Sequence, residues 1–538
     1  MSLIRQTLST INTSLTFFVS DRRLNDRRNR FQGGAPKKPA LVGCLRRDRD
    51  SSRWGTDMLA YEELKGSTGR QIRFRPQRYD ARLLFPNLAP RVSVRSTAYR
   101  LHDISLGGLA ALSKQTHDEH LEVGETVDLS IQQSGLPIFE STARVCRSEN
   151  TVFGSKVAFN FVDRFIEFDK LLTRNTQAQI AARSPLFVSE TSQLVPQEYR
   201  AFCADVLKLL RAYRSVLESN SSVALEFKHG LNQVEAFESC EPRLLQQWRQ
   251  LWRTGNELTH AMVNEREVRE ATKELTEMVL TPELRLGAIW DRSYSKPLGY
   301  PGDFEIMNQV YDWERLGNNA YEMLMHRVGL EVAECIRTRM EVVRSHIADV
   351  VHARGHDRPA RITSLGSGPA REIEAFLSSH TGSGHRAEFA LIDQEMEALQ
   401  YAHETTYPYV LNSEGRIKVQ GLNISFTDIL RGTQGLADLP PQDLVYSVGL
   451  LDYLTAHRAK ALVKRLYDLL IPGGLLIIGN MNECSLSNFW PMEFIADWSL
   501  QYRGDADMMD WTHGLNAAAA WTETERTGRV RMLFVRKP

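Results

Sequence analysis

The chain has 538 residues and a formal net charge of zero, with 66 basic and 66 acidic side chains. Because a single hydrophobic core stops growing at ~250–300 residues, at least two domains are expected. The balanced charge provides no general attraction to nucleic acid, and no stretch approaches the ~18 consecutive apolar residues that would cross a bilayer. The six cysteines lie far apart with no CxxC pair, so the sequence predicts reduced thiols, no zinc site and a cytoplasmic location.

Residues 1–69 are predicted to be a flexible basic leader. Stretches such as "DRRLNDRRNRFQGGAPKKP" are too polar, and too often interrupted by Gly and Pro, to bury one face. Such a leader is typically a solvated tail, although its arginines also suit an anion or a peripheral contact with a membrane surface.

Changes in hydrophobic periodicity divide the rest of the chain into three regions. Residues 70–172 contain short alternating runs such as "GETVDLSIQQ", which predict a small antiparallel β-barrel or sandwich. Residues 173–290 repeat apolar side chains at three- and four-residue steps, which predicts a helical segment. Residues 291–538 begin with a helical cap and continue with alternating strands and helices, which predict a parallel, doubly wound α/β sheet. The C-terminal stretch predicts two strands joined at Thr527 and Gly528, an antiparallel hairpin.

The stretch "LGSGPA", Leu365 to Ala370, lies where the first strand of this sheet meets its helix. In such sheets this turn faces the ligand crevice, and glycines let backbone N–H groups approach a polar ligand. The loop lacks the Lys-Ser or Lys-Thr of a phosphate-binding GxxxxGK[ST] motif. It also departs from the dinucleotide fingerprint GxGxxG, because Arg371 stands where the third glycine belongs. The two glycines alone are also compatible with an ordinary tight turn.

Two acidic residues give the loop a functional context. Asp393 follows at the end of the next apolar strand, where a carboxylate accepts hydrogen bonds from both ribose hydroxyls of a nucleoside. Asp428 lies in a third turn, and the fourth strand runs into "DLVYSVGLLDYL". In order and spacing, together with the terminal hairpin, these features resemble the class I S-adenosylmethionine-dependent methyltransferases, which have a Rossmann-like sheet. A dinucleotide-dependent dehydrogenase is the alternative, and the hairpin argues against it.

The resemblance implies a set of contacts with S-adenosylmethionine. They are Gly366, Ser367 and Gly368 at the amino-acid end, Asp393 at the ribose, Asp428 at the adenine amine, and the stretch Ser447, Val448, Gly449 and Leu450 at the methionine and sulfonium. One position departs from the family, in which an acidic residue often precedes the glycine loop. Here that residue is Ser364, so contact with the amino group of the cofactor must come from elsewhere.

A second motif, "KPLGYPGDFEIMNQVY", lies between residues 296 and 311. Its prolines and glycines predict a sharp bend that enters a helix capped by Asp303. The bend is either a rigid connection between helices or a wall of the cofactor pocket that presents Tyr300. It resembles the KPxGYxGDxxxMN element of a bacterial subgroup of such methyltransferases, related to the biosynthesis of fatty-acid methyl ester signals.

The chemistry of the acceptor decides which further residues are needed. Methyl transfer from a sulfonium is an in-line displacement, so the protein mainly has to align donor and acceptor at ~3–3.5 Å. A carboxylate is already ionised at neutral pH and needs no general base. The hypothesis is therefore O-methylation of a small or fatty-acid carboxylate, with Tyr300 in the pocket and Arg503 receiving the carboxylate. An amine, thiol or hydroxyl acceptor needs a base, for which Asp452 and Tyr453 are the candidates.

The barrel region carries a motif of its own. In "RYDAR", Arg78 and Arg82 are four residues apart, and "DISLGG" follows with Asp103, Ser105 and Gly108. Two guanidiniums can bind purine edges and phosphates, while Asp103 can accept hydrogen bonds from a guanine. RxxxR followed by DxSxxG before short strands resembles the PilZ domain, a bacterial receptor for cyclic di-GMP. Two alternatives remain: an ordinary β-turn with solvated arginines, and a PilZ scaffold that no longer binds the dinucleotide.

Two hypotheses of different classes follow. In the first, the chain is a methyltransferase whose activity is modulated by cyclic di-GMP, with the helical segment transmitting a change of domain arrangement. In the second, it is a signalling adaptor that binds cyclic di-GMP and a protein partner through a catalytically idle methyltransferase fold. The complete glycine loop together with Asp393 favours the first.

Overall fold

The computed structural model describes residues 78–538 except 86–88, 96, 114–120, 152–153, 183–192, 228–230, 356–357, 381–383, 432–435 and 437–438. The predicted leader, residues 1–69, lies outside the described residues. All of the described residues belong to one contact-defined unit, Arg75–Pro538.

Seven strands described between residues 78 and 161 form an antiparallel barrel. In chain order they are β1 Arg78–Asp80, β2 Arg91–Val94, β3 Thr97–Ser105, β4 Gly108–Ser113, β5 Thr126–Gln133, β6 Leu136–Thr151 and β7 Gly154–Phe161. The strand order is β1-β3-β2-β5-β6-β7-β4, and pairing of β3 with β4 closes six strands into the barrel, with β1 at its edge. Alternate residues of β5 point inward, and Val127, Leu129 and Ile131 are buried. The predicted small antiparallel barrel is confirmed.

Helices follow the barrel and continue to residue 354, and one short helix, α1 Ala81–Leu84, lies between β1 and β2. The helices described after the barrel are α2 Phe168–Ala182, α3 Gln197–Phe227, α4 Gln233–His260, α5 Arg266–Val279, α6 Thr281–Leu284, α7 Ala288–Ser295, α8 Phe304–Asp312 and α9 Ala320–Arg354. Helix α2 packs against β5 and β6 of the barrel and crosses the predicted boundary at residue 172. In the described part of the chain, no helix contains an apolar stretch long enough to cross a bilayer.

The C-terminal sheet has the strand order β10-β9-β8-β11-β12-β14-β13. Its strands are β8 Ala360–Leu365, β9 Ala387–Asp393, β10 Ile417–Asn423, β11 Gln442–Ser447, β12 Leu470–Met481, β13 Ala519–Thr524 and β14 Val530–Arg536. The first five are parallel, whereas β14 runs antiparallel to β12 and forms a hairpin with β13. The helices between the strands are α10 Arg371–Ser379, α11 Met396–Asn412, α12 Phe426–Arg431, α13 Ala456–Asp468 and α14 Asp505–Asp510.

The two faces of this sheet belong to different hydrophobic cores. On one face, Leu444 and Ile477 share a core with the helices α3 to α9. On the other face, Val445 and Ile478 pack with helix α13. Neighbouring strand residues point to opposite faces, so both faces are covered. Because the helical segment and the sheet share one core, the boundary predicted at residue 290 does not coincide with a boundary between cores.

One tryptophan joins the helical segment to the C-terminal part of the chain. Trp490 is fully buried, and its ring lies 5.6 Å from that of Trp248 and 5.2 Å from that of Phe202. Its Nε1 donates a hydrogen bond to the hydroxyl of Tyr199 at 2.9 Å. A Cβ at Gly255 of helix α4 would lie 2.3 Å from the indole Cδ2 of Trp490, so only glycine leaves room for the ring.

We expect Gly255→Ala to destabilise the protein by ~1–3 kcal/mol, because the added methyl overlaps the buried indole of Trp490. The midpoint of thermal unfolding measures the effect. Gly421→Ala is the matched control, since the nearest atom to its added Cβ would be 3.7 Å away. In a helix, Ala is otherwise favoured over Gly by ~1 kcal/mol, so a more stable Gly255→Ala variant would contradict the packing described here.

Candidate functional site

The glycine loop after strand β8 turns back toward strand β9. Gly366 and Gly368 have φ angles of +67° and +51°, in the left-handed region that glycine adopts without strain. The N–H of Gly366 donates to the carbonyl of Ile392 at 2.8 Å, which joins the loop to the end of β9. Ala370 ends the loop, and helix α10 begins after it. The loop is thereby held at the carboxyl ends of the parallel strands.

The carboxylate of Asp393 holds this loop. Its Oδ2 accepts a hydrogen bond from the N–H of Gly368 at 2.8 Å, and its Oδ1 accepts one from the N–H of Glu395 at 3.0 Å. Asp393 is buried, and burial raises the pKa of its carboxyl against the opposing effect of the backbone hydrogen bonds. Because each carboxylate oxygen can accept a second hydrogen bond, Asp393 can also bind a ligand hydroxyl.

A cavity lies at this end of the sheet, between the glycine loop, the strand ends and the helical cap that begins at residue 291. Its space, with the open mouth and the solvent in it included, is about 1010 Å³. The candidate residues from the sequence that line it are Tyr300, Gly366, Ser367, Gly368, Asp393, Val448, Gly449, Leu450, Asp452 and Tyr453. Much of the remaining wall is apolar: Met307, Ile336, Phe426, Met481, Met492, Trp498 and Leu500.

Two of the expected cofactor contacts do not line this cavity. Asp428 lies on helix α12, away from the cavity wall. Ser447 is fully buried, and its hydroxyl donates to the carbonyl of Leu365 at 2.9 Å. The Ser447 hydroxyl therefore joins β11 to β8 and is not directed toward a ligand.

Arg503, the expected receptor of a substrate carboxylate, also lies outside the cavity wall. It is buried, and its Nη1 donates to the carbonyl of Leu451 at 2.9 Å and to Oδ1 of Asn480 at 2.7 Å. Its Nη2 donates to the carbonyl of Leu454, and the guanidinium lies 5.1 Å from the ring centre of Trp511. These contacts use Arg503 to hold the polypeptide after β12 against the turn after β11, so its position corrects the expected substrate contact.

The Gly/Pro segment 296–303 forms one wall of the cavity. Gly302 has a φ of +74°, and a Cβ there would lie 2.3 Å from the indole Cζ2 of Trp498, so the position requires glycine. Asp303 is fully buried and caps helix α8 by accepting a backbone N–H at 3.0 Å, as the sequence predicts. The segment is both a rigid bend and a pocket wall, because it presents Tyr300 to the cavity.

The two candidate bases lie on the short turn after β11. Oδ1 of Asp452 accepts the N–H of Met481 at 2.5 Å, and burial raises the pKa of this carboxyl to about 6 despite that hydrogen bond. The hydroxyl of Tyr453 accepts from Nε1 of Trp498 at 3.0 Å and donates to the carbonyl of Pro301 at 3.4 Å. Burial raises the pKa of Tyr453 above its ordinary value. Asp452 is therefore the better base of the two near neutral pH.

Sequence reasoning missed two charged residues of the cavity wall, Arg339 and Glu372. Arg339 lies on helix α9, and Glu372 lies in the first turn of α10, directly after the glycine loop. Arg339 follows Ile336 by three residues and therefore lies on the apolar face of its helix. A charged residue on the apolar face of a helix was the sequence signal that could have identified Arg339.

In the barrel, two residues of the predicted dinucleotide motif are in direct contact. Nε of Arg78 donates to Oδ1 of Asp103 at 2.6 Å across the antiparallel pair of β1 and β3. Their side chains are 48% and 23% exposed, so both are accessible to a ligand. The side chain of Arg82 lies outside the described residues.

The other two residues of the motif shape the turn between β3 and β4. Ser105 is buried, and its hydroxyl donates to the carbonyl of Gly108 at 3.0 Å. A Cβ at Gly108 would lie 2.3 Å from the carbonyl oxygen of Phe159 in β7. The glycine is therefore required by the close approach of β4 and β7.

Strand β3 also contacts residues that adjoin the wall of the cavity. The guanidinium of Arg100 lies 5.0 Å from the ring centre of Tyr294, and its Nη1 lies 4.0 Å from Oδ2 of Asp497. The same Oδ2 pairs with Nζ of Lys296 at 2.7 Å. Asp497 directly precedes Trp498 of the cavity wall, and Lys296 begins the Gly/Pro segment. Through the carboxylate of Asp497, Arg100 is thus linked to the Gly/Pro segment and to the residue before Trp498.

Residues 74–174 match the family model described as PilZ domain. The match covers the antiparallel barrel and the start of helix α2, and it leaves the rest of the chain unassigned. No match was found among curated proteins.

Several solved structures resemble the chain distantly. A possible exported protein from Bordetella parapertussis is 17% identical, with 56% of this chain and 97% of that chain covered and a TM-score of 0.35. Magnesium protoporphyrin IX methyltransferase from Synechocystis PCC 6803, solved with bound SAH, is 14% identical, with coverage of 46% and 98% and a TM-score of 0.31. The S-adenosylmethionine-dependent methyltransferase SibL in its apo form is 14% identical, with coverage of 62% and 98% and a TM-score of 0.33.

Proposed function

We propose that this chain is an S-adenosylmethionine-dependent methyltransferase that O-methylates a small or fatty-acid carboxylate, and that cyclic di-GMP bound to its PilZ domain modulates the activity. One observation carries the enzymatic part of the proposal. The glycine loop and Asp393 meet at the cavity, where the N–H of Gly368 donates to Oδ2 of Asp393 at 2.8 Å. A backbone cradle and a ribose-binding carboxylate are thereby joined in one rigid unit.

The cavity wall offers polar groups and exposed backbone that suit this cofactor. Ser367 Oγ and Arg339 Nε are buried on the wall, and neither has a hydrogen-bond partner among the described residues. Gly366 and Gly368 bring backbone close to the cavity without side chains. The antiparallel strand β14, inserted between β12 and β13, further supports a methyltransferase over a dehydrogenase, whose sheet is mostly parallel.

When bound, S-adenosylmethionine supplies an electrophilic methyl group. The residues of the chain then position the acceptor and exclude water. Tyr300 and Trp498 stand on one wall, and Met481, Met492 and Leu500 add apolar surface. Such a lining suits an apolar chain that ends in a carboxylate, whose charge the sulfonium itself attracts. Since a carboxylate is already ionised, no proton has to be removed.

A hydroxyl or amine acceptor is a second candidate, favoured by Asp452. This side chain lines the cavity, and burial raises its pKa to about 6, close to the value that suits a general base. The two acceptor classes differ in whether Asp452 takes part in the reaction, so an experiment can separate them.

For the cofactor, we expect the wild-type protein to bind S-adenosylhomocysteine, the product form that no longer carries the methyl group, in isothermal titration calorimetry. Asp393→Asn should weaken this binding roughly 10- to 100-fold, because a hydrogen bond to a charged group contributes ~1.5–3 kcal/mol. Asp428→Asn is the matched comparison, since Asp428 lies off the cavity wall. An equal loss of binding in both variants would support the contact between Asp428 and adenine that the sequence predicts. Absence of binding to the wild type would contradict the methyltransferase and favour the adaptor.

For the acceptor, we expect label from methyl-labelled S-adenosylmethionine, incubated with bacterial cell extract, to enter a base-labile ester. The rate should be nearly constant between pH 6 and pH 8 and should survive in Asp452→Asn, because an ionised carboxylate needs no base. A base-stable product would contradict this acceptor. With a hydroxyl or amine acceptor, the rate falls as the pH drops through about 6, where Asp452 becomes protonated, and is low in Asp452→Asn.

The proposed modulation rests on the contacts of strand β3. Asp103 of the dinucleotide motif and Arg100 of the wall contact lie on this one strand. A ligand that competes for Asp103 by breaking its ion pair with Arg78 acts three residues from Arg100. Any shift of β3 then reaches Asp497 and the adjoining Trp498. This is a physical link between the two sites through packed and charged groups.

We expect cyclic di-GMP to bind the wild type and to change its affinity for S-adenosylhomocysteine by a measurable factor. S-adenosylhomocysteine should then change the affinity for cyclic di-GMP by the same factor. Arg78→Ala should lose most of the dinucleotide binding. Arg100→Met should still bind cyclic di-GMP, but the two ligands should no longer change each other's affinity, because the ion pair with Asp497 is removed. Arg147→Met, at an exposed arginine of β6, is the control and should behave as the wild type. Unchanged mutual effects in Arg100→Met would contradict this link.

A further inference from the structure

Two buried side chains of opposite charge face the cavity from different helices. Arg339 of α9 and Glu372 of α10 are each 8% exposed, and both line the cavity. Among the described residues, no carboxylate forms an ion pair with the guanidinium of Arg339, and none accepts a hydrogen bond from its Nε. Burying a guanidinium without a partner is strongly unfavourable. A group that enters the cavity is therefore the expected partner.

Other buried arginines of this protein are paired. Arg529 donates from Nη1 to the carbonyls of Glu331 and Val332 at 2.8 and 3.0 Å. Arg503 has the three acceptors described above. Arg339 departs from this pattern, and it does so where its side chain lines the cavity.

The position of Arg339 within the cavity is set by a glycine. A Cβ at Gly449, in the turn after β11, would lie 2.9 Å from Nη2 of Arg339, too close for an unstrained contact. The guanidinium therefore reaches across from α9 to the strand ends, where the sequence resemblance expects the methionine and the sulfonium. The absence of a side chain at Gly449 keeps this approach open.

A buried tyrosine holds the carboxylate of Glu372 in place. Its Oε1 accepts a hydrogen bond from the hydroxyl of Tyr446 at 2.7 Å, and Tyr446 is fully buried in β11. Burial raises the pKa of Glu372, whereas the Tyr446 hydrogen bond and the nearby Arg339 lower it. A bound cation would further favour the ionised form. Its second carboxylate oxygen remains available to a ligand.

We propose that Arg339 and Glu372 form a clamp for an amino-acid group, in which Arg339 binds the α-carboxylate and Glu372 binds the α-ammonium. The inference rests on the proposed function, since the amino-acid end of S-adenosylmethionine is the group that the cavity would receive. It also provides a contact for the amino group of the cofactor, which Ser364 cannot supply in place of the usual acidic residue. The carboxylate that the family often has before the glycine loop is supplied here from the helix that follows the loop.

The test compares two nucleosides that differ in the amino-acid end. S-adenosylhomocysteine carries it, whereas 5′-deoxy-5′-methylthioadenosine lacks it. We expect the wild type to prefer S-adenosylhomocysteine in calorimetry. Arg339→Met and Glu372→Gln should each weaken S-adenosylhomocysteine roughly 10- to 100-fold and leave methylthioadenosine unchanged. Arg339→Lys, which keeps the charge, should recover part of the loss. Arg344→Met is the control, because Arg344 is exposed on the same helix.

The outcomes separate this inference from the proposed function. Failure of the wild type to bind S-adenosylhomocysteine overturns the methyltransferase and the clamp together. Binding by the wild type that is unchanged in Arg339→Met and Glu372→Gln overturns the clamp alone. An equal loss of both nucleosides in these variants also overturns it, because the side chains would then support the fold of the cavity instead of the amino-acid group. Thermal unfolding of each variant shows whether it is folded.

Discussion

One buried carboxylate, Asp497, joins three parts of this molecule. It pairs with Lys273 of the helical segment at 3.1 Å, with Lys296 at the start of the Gly/Pro segment at 2.7 Å, and with Arg100 of the barrel at 4.0 Å. Its φ of +54° lies in the left-handed region, which a residue other than glycine adopts at a cost in free energy. Buried charges are tolerated when they are paired and hydrogen-bonded, and here one anion serves cations from three elements. The barrel, the helices and the cavity therefore meet at a single electrostatic centre, next to Trp498 of the cavity wall.

The helical cap that begins at residue 291 is part of the site and not merely a connection to it. Its helices share a hydrophobic core with one face of the C-terminal sheet, and Trp490 closes that core from the far end of the chain. From this position, helix α9 contributes Arg339 to the cavity, while the Gly/Pro segment contributes Tyr300. A sheet of this kind supplies only the floor of a pocket at its carboxyl edge. Part of the wall, with the charge of Arg339, comes from the helices that precede it.

The parts of the site that sequence could predict are those encoded locally. A glycine loop after an apolar strand, and Asp393 at the tip of the next, depend on near neighbours, and both line the cavity. The alternating runs of the barrel were readable for the same reason. Glu372 was not identified from the sequence because its hydrogen-bond partner Tyr446 lies 74 residues away. Arg339 was not identified because the cavity that it lines is assembled from segments far apart in the chain. The sequence suggested that Arg503 was available to a substrate, whereas in the fold it donates to the backbone carbonyls of Leu451 and Leu454.

The close approach of Gly108 to Phe159 affects what the presence of this glycine in other barrels of this kind can indicate. Its glycine is demanded by the carbonyl oxygen of Phe159, and the Ser105 hydroxyl is used within the same turn. A barrel of this kind that bound no nucleotide would still be under selection to keep the glycine, because a side chain there would overlap the carbonyl oxygen of Phe159. Retention of Ser105 and Gly108 therefore reports on the architecture of the barrel. The accessible pair Arg78 and Asp103 is the part of the motif that is more informative about ligand binding, because an exposed ion pair contributes little to stability.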